Sequence, residues 1–359
     1  MKKLFLFIFH LCFTLILQAQ VSKTVNINAG GLYAAFASNE INSITNLTIK
    51  GTINANDFQT IRNRMRQLIT LNLSEVNVIS CTTRISSIEY IEITDYPANA
   101  IPKNAFYNEY IGPNTNLTSI ILPSSITVIG SYAFKKCSAL TSIIIPNSVD
   151  SIKEGIFYDC SSLNSVTIPS TISAIPDYTF SGCRGLTSII IPSSVKNIGA
   201  YSFYNCSALT SITIPNSVTL IKNHSFDNCS AITSVIIPSS ITSIEDETFS
   251  NCSALTSVTI PNSITKIGYG AFSECLSIKS ITIPSSVTFI DANAFSNCKN
   301  LVSIYAYPIT PIVIPYEIFS FVNTNICILH VPSGSEKAYK SANQWRDFKH
   351  IMKIANAKL

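Results

Sequence analysis

LTSIIIPNSVDSIKEGIFYDCSS, Leu140 to Ser162, decides the fold, because it recurs on both sides of itself at an interval of 23 residues. Leu117, Leu140, Leu163, Leu186, Leu209, Ile232, Leu255, Ile278 and Leu301 mark the step. Three further columns keep it: Pro123 to Pro284, Phe134 to Phe295 and Cys137 to Cys298. No insertion or deletion interrupts eight consecutive units, so each residue of one turn lies beside its counterpart in the next. One such unit is too short to bury its own apolar groups. A stack of them can, because each covers its neighbour's apolar edge.

Within LTSIIIP, Ile143 and Ile145 alternate with Ser142 and Ile144, so one face of a short strand points inward. Pro146 ends the strand, having no N–H to offer a ladder. Val149 and Ile152 point inward again across a Ser-rich corner, as a second short strand whose spacing of three departs from strict alternation. EGIFYDC then returns the chain as a turn or a single helical turn, with Phe157 and Cys160 on one face. The period and its aliphatics predict a repeat solenoid of the leucine-rich type. It is a right-handed superhelix of short parallel strands with turn or short-helix returns, capped at both ends.

Working outward, residues 1–19, MKKLFLFIFHLCFTLILQA, have the layout of a secretory signal peptide: two lysines, an apolar run and a small residue at the end. The run is short for a membrane span. Loss of Lys2 and Lys3 with it lowers the formal charge from +4 to +2, which gives no electrostatic case for nucleic acid. Residues 20–74 read as an N-terminal cap. A helical pattern follows Gly30-Gly31, strands carry Ile44, Leu47, Ile49 and then Leu68, Leu71, Leu73, and a helix lies between them over NANDFQTIRNRMRQL. On that helix Phe58, Ile61 and Met65 face inward and Arg62, Arg64 and Arg66 form a solvated face.

Residues 75–116 form a degenerate repeat with an insertion, in which Ile88, Ile91 and Ile93 keep the strand offsets and Ile101 and Phe106 join the later columns. Tyr90, Tyr96, Tyr107 and Tyr110 make it the most individual surface of the chain. The eight regular units occupy 117–300, and 301–359 close the stack. In that closing segment LVSIYAY and CILHVP are strands. SGSEKAYKSANQWRDFKHI is an amphipathic helix started by Ser333 or Ser335, and its Tyr339, Trp345, Phe348 and Ile351 cover the last turn.

The residues of catalysis are either missing or absorbed by the repeat. Cys183, in Ser181-Gly182-Cys183-Arg184-Gly185, is one rung of the cysteine column rather than a caspase-type nucleophile. His224, His330 and His350 stand in no zinc-protease or nucleophile-elbow motif. Glu245, Asp246 and Glu247 lack the spacing of a calcium loop, and His224 pairs at most with Asp227. A single file of cysteines offers no tetrahedral cluster, and buried free thiols are favoured over disulfides between parallel Cβ vectors. No enzyme activity, cofactor or metal is expected.

Units of the form LTSITIPNSVTxIGxxAFxxCSS resemble the BspA-like leucine-rich repeats of bacterial surface proteins, and GTINANDFQTIRN and CILHVPSGSEKAYKSANQW resemble the flanks of that family. The resemblance implies a secreted or surface-exposed, non-enzymatic protein, some members of the family being adhesins for matrix proteins such as fibronectin and fibrinogen. A lipobox and a C-terminal sorting module are not visible in the sequence.

What is left for function is a surface. The outward strand residues Ser142, Ile144, Ser165, Thr167, Ser188, Ile190, Ser211, Thr213, Ser234, Ile236, Ser257 and Thr259 form a low-charge strip of hydroxyls and aliphatics. Extended from Ser119 to Ser280 over eight turns, it is about 40 Å long at strand spacing. The leading expectation is a monomeric protein-binding module, an adhesin for an extracellular or host matrix protein. The alternatives are a structural envelope spacer without a specific ligand and, remotely, an ice-binding array.

Overall fold

The computed structural model describes residues 20–86, 91–314 and 317–354. The expected signal peptide, Ile88, Tyr90 and Pro315 lie outside them. Within the described residues the chain winds into a solenoid of parallel strands, about fourteen turns long with little helix.

Its first wall begins with Ser22–Ile27, Asn46–Ile53, Thr70–Val78, Ser119–Ile121, Ser142–Ile144 and Ser165–Thr167, hydrogen-bonded in that order. It continues through the Ile190–Thr213 bridge and the pair Ser234–Ile236 and Ser257–Thr259. It ends on Ser280–Ile283, Ser303–Ala306, Ile328–Val331 and His350–Lys353. The register is the repeat itself, with Ser142 beside Ser165 and Ile144 beside Thr167. A parallel ladder of identical units thus brings like residues together.

The second wall consists of two-residue strands such as Val128–Ile129 and Ser151–Ile152. It also explains the spacing of three. The Val149 N–H donates to Pro146 O at 3.0 Å, closing a β-turn that tips Val149 into the core one corner before Ile152 enters the strand. Only Ile152 of the two is a strand residue.

The return wall takes the turn form of the expectation, without a helix. The N–H groups of Gly155, Phe157 and Asp159 donate to Asp177 O, Thr179 O and Ser181 O of the next turn, at 2.9, 3.0 and 2.7 Å. Aiming alternate amides the same way requires left-handed backbone at Gly155 (φ 60°) and Asp159 (φ 56°). The same two places are left-handed in the neighbouring turns, where Tyr201 and Asn205, or His224 and Asn228, fill them.

The core is a column of rings. From Phe106 to Phe319 successive phenylalanines lie 5.2–5.9 Å apart with planes within 21° of parallel. An edge-on ring closes each end: Phe58 at 87° to Phe106, and Trp345 and Phe348 at 68° and 89° to Phe319. Edge-to-face contact satisfies the ring quadrupole while ending the stack.

At the N-terminal end Ser22–Ile27 forms a strand the sequence reading did not place, and the helical pattern after Gly31 shrinks to one 3-10 turn, Tyr33–Ala35. The helix Ala55–Arg64 buries Phe58 and Ile61, and Met65 is buried just beyond it. Asn54 caps it by accepting from the Asn56 N–H, while buried Asp57 accepts from the N–H groups of Asn54, Gly30 and Leu32. The arginine face departs from expectation. Arg62 Nη1 donates to Asn104 O and Arg66 Nη1 to Gly112 O, so two of the three guanidinium groups tie the cap to the following turn.

The degenerate unit is also corrected. Cys81–Ser86 and Ile91–Tyr96 form an antiparallel hairpin, and Thr70–Val78 pairs directly with Ser119–Ile121, so Ile91 and Ile93 are hairpin residues rather than a rung of the stack. Ile101 and Phe106 do join their columns, beside Ile129 and Phe134. At the C-terminus the single amphipathic helix is instead a short helix, Glu336–Ser341, a 3-10 turn, Trp345–Asp347, and a last strand, His350–Lys353. Ser335 precedes the helix but donates its hydroxyl to Ile309 O instead of capping it. Tyr339, Trp345 and Phe348 are buried, and Trp345 Nε1 donates to Ile312 O at 2.9 Å.

Candidate partner-binding wall

All twelve strip residues, from Ser142 to Thr259, are exposed on the outer face of the first wall. Their inward neighbours, such as Ile143, Ile189 and Val235, are buried, as the period of two requires. Register turns the strip into two rows. Serines lie beside serines, as Ser234 does beside Ser257, and aliphatics alternate with threonines, as Ile236 does beside Thr259. Ile144, Ile190 and Ile236 are 70%, 85% and 70% exposed, large values for isoleucine on a folded surface. Shallow depressions lie between successive turns of this wall, among them one lined by Ile121, Ser142 and Ile144 and one by Thr167, Ser188 and Ile190.

The row is longer than the regular units suggested. Towards the N-terminus it runs through Asn72, Thr48 and Thr24, and towards the C-terminus through Tyr305, His330 and Met352. Tyr305 and His330 stack at 4.4 Å, so one end of the wall is aromatic where the middle is aliphatic. Tyr305 keeps the 23-residue step from Thr282, whereas the strands beyond it and those before Ile121 are unequally spaced, so the step does not reach the other positions.

A second surface was legible but unread. Tyr132, Tyr178, Tyr201 and His224 share the left-handed place of the return wall, and Tyr178 and Tyr201 stack at 5.1 Å. Tyr201 stacks on His224 at 4.3 Å, and Lys135 lies 5.2 Å from the centre of the Tyr132 ring. Burial raises the Tyr132, Tyr158 and Tyr201 hydroxyl pKa values above the usual tyrosine range. Of the tyrosines grouped in the degenerate unit, Tyr107 reaches this surface, through Lys135, 4.5 Å from its ring centre.

The family described as BspA type leucine-rich repeat region matches residues 99–233 and 219–347, in six copies. The chain belongs to this BspA-type leucine-rich repeat family. No curated protein matches it at a significant level. A leucine-rich repeat protein of Bacteroides ovatus is 23% identical over 92% of this chain and 88% of its own, with a TM-score of 0.44. The leucine-rich repeat protein of T. pallidum is 24% identical over 55% and 87%, TM-score 0.42. A leucine-rich cell surface protein of Faecalibacterium prausnitzii is 25% identical over 76% and 86%, TM-score 0.35.

In these BspA-type units the columns that look chemical serve the frame. Each cysteine from Cys160 to Cys298 donates its thiol to the carbonyl of the phenylalanine 26 residues earlier, at 3.0–3.3 Å. Asn114 stands three residues before Leu117, where the units have cysteine, and its N–H donates to Phe106 O. The ten described cysteines are free, and burial pushes the Cys137, Cys252 and Cys298 thiols up to about 12. A thiol held that high stays protonated at neutral pH. Hydroxyls form two more ladders. Ser194, Ser217 and Ser263 donate to Ile172 O, Val195 O and Ile241 O at the corner, and Thr141, Thr210 and Thr256 to Thr118 O, Thr187 O and Thr233 O beside the strands. Among the described residues no helix is long and apolar enough to cross a membrane.

Proposed function

We propose that this BspA-type chain is an exported, surface-displayed and non-catalytic binding protein that docks an extended segment of a matrix protein along its first wall. The observation that carries the reading is the row of solvated aliphatics. Ile144, Ile190 and Ile236 stand more than two-thirds exposed at every second turn, separated by Thr167 and Thr213. Exposed apolar surface held on a rigid scaffold, with hydroxyls interleaved to take main-chain hydrogen bonds, suits a partner laid across the strands. With about 4.8 Å per turn, the row over fourteen turns is about 60 Å long, enough for a partner segment of some 18 extended residues. Charge is nearly absent from the row, so affinity comes from apolar burial and is weakly salt-dependent.

The test is solid-phase binding of the chain from Gln20 onward to purified fibronectin and fibrinogen, paired with protease shaving of intact cells. Saturable binding that survives 0.5 M salt, together with loss of the chain on shaving, is the expected result. Absence of saturable binding to either protein favours an envelope spacer and ends the adhesin reading.

A further inference from the structure

Among the described residues the winding of the chain assembles one mixed set of metal-ligating side chains. His224 and Glu247 are 23 residues apart and occupy the same left-handed place in adjacent turns, with φ values of 55° and 50°. Asp227 sits three residues after His224, in a column otherwise filled by Lys135, Tyr158, Ser181, Tyr204, Ser250, Ser273 and Ser296, none of them acidic. His224 Nδ1 lies 3.1 Å from Asp227 Oδ2 and 3.4 Å from Glu247 Oε2, and the three atoms fall within 4.8 Å of one another.

We propose that His224 Nδ1, Asp227 Oδ2 and Glu247 Oε2 bind a divalent transition-metal ion of the zinc class, clamping two successive turns together. The distances suit it. Ligands at about 2.0–2.2 Å from a tetrahedral ion are separated by about 3.3–3.6 Å, close to both nitrogen–oxygen distances here. Charge suits it as well. The imidazole can donate one proton at Nδ1, whereas two carboxylates converge on that atom, and a dication compensates both at once.

The surroundings hold the ligands in place. Asn251 Nδ2 donates to the other Asp227 oxygen at 3.1 Å, and the imidazole lies on the Tyr201 ring at 4.3 Å. Asp227 is buried with 8% of its side chain exposed, and Glu247 is a third exposed, which leaves a fourth position open to water. One nitrogen and two carboxylate oxygens favour zinc over calcium, which takes six to eight oxygens. The buried thiols from Cys160 to Cys298, each donating to a carbonyl, do not compete.

Titration of zinc chloride into the untagged chain from Gln20 onward, followed by calorimetry and by competition with a chromophoric chelator, tests the site. One ion per chain and a higher melting temperature with zinc, but not with calcium, are expected. Asp227→Ser, Glu247→Asn and His224→Tyr each install the residue another turn carries at that place, as Ser250, Asn293 and Tyr201 do, so the variants retain the fold. Each weakens zinc binding by at least about tenfold while leaving the circular dichroism spectrum unchanged. Absence of binding at millimolar zinc, or equal binding in Asp227→Ser and Glu247→Asn, overturns the proposal.

Discussion

The thiol of Cys160 and the N–H of Cys137 meet on one acceptor, the carbonyl oxygen of Phe134, each at 3.0 Å. One bond closes the turn to which Phe134 belongs and the other reaches in from the next turn, so both lone pairs of a buried carbonyl are used. Repeated down the column, this joins every turn to its successor at the centre of the return wall. It explains why the place holds cysteine. Alanine would leave the second lone pair empty, and serine would bring a more strongly solvated group into an apolar site.

Cys206→Ala in the middle of the ladder is therefore expected to destabilise the chain by about 1–2 kcal/mol, from one lost hydrogen bond and a small cavity. Chemical denaturation of the two proteins measures it. Cys206→Ala as stable as the parent chain would show that the thiol bonds contribute nothing.

Thiol chemistry gives a pH prediction. Burial raises the folded pKa of Cys137, Cys252 and Cys298 to about 12 from an ordinary 9.0, so the folded state keeps the proton that the unfolded state releases. Stability from these groups is complete below pH 9.0 and is lost progressively as the pH rises towards about 12. Thermal melts should fall steadily over that window. In the native chain at pH 8 a maleimide should label Cys81, the one described cysteine that is partly exposed, far faster than the other nine. Rapid labelling of the column in native buffer would contradict the burial.

The ring column makes the two ends and the middle comparably sensitive. Phe226→Ala removes a fully buried ring from between two stacked neighbours at 5.2 and 5.4 Å. Trp345→Ala removes the edge-on lid over Phe319 together with the Nε1 bond to Ile312 O. Each is expected to cost about 3–5 kcal/mol. Because turns contact only their neighbours, hydrogen exchange should rise around the mutated turn first. Uniform loss of protection along the whole chain would argue against a quasi-one-dimensional stack.

Much of this was readable from residue order, and the limits have physical causes. The step from Leu140 to Leu163 and the alternation of Ile143 with Ile144 fix the register and the outward row, because a parallel ladder of identical units has only one alignment that buries every inward-facing column. Val149 misled the strand pattern because a β-turn, not a strand, turns it inward. Ile91 and Ile93 share the aliphatic spacing of a rung but pair antiparallel within a hairpin, a long-range choice that local pattern does not encode. In the closing segment the helical periodicity of 333–351 outweighed the signal of a last strand, whose pairing with Ile328–Val331 is set by the open edge it covers. The contact of His224 with Glu247 was visible as a 23-residue interval, but only the left-handed backbone shows that both side chains leave the return wall at the same place.

Binding along the wall needs a variant that changes the surface and spares the core. Ile144, Ile190 and Ile236 are mostly exposed, so the triple substitution to lysine should alter stability by no more than about 1 kcal/mol. The direct measurement is the affinity of the chain from Gln20 onward, and of this triple variant, for immobilised fibronectin and fibrinogen, with melting temperatures recorded in parallel. The account predicts saturable binding by the parent chain and at least about tenfold weaker binding by the variant at an unchanged melting temperature. Equal affinity in the two proteins would contradict it, and the wall of solvated isoleucines would then not be the docking surface.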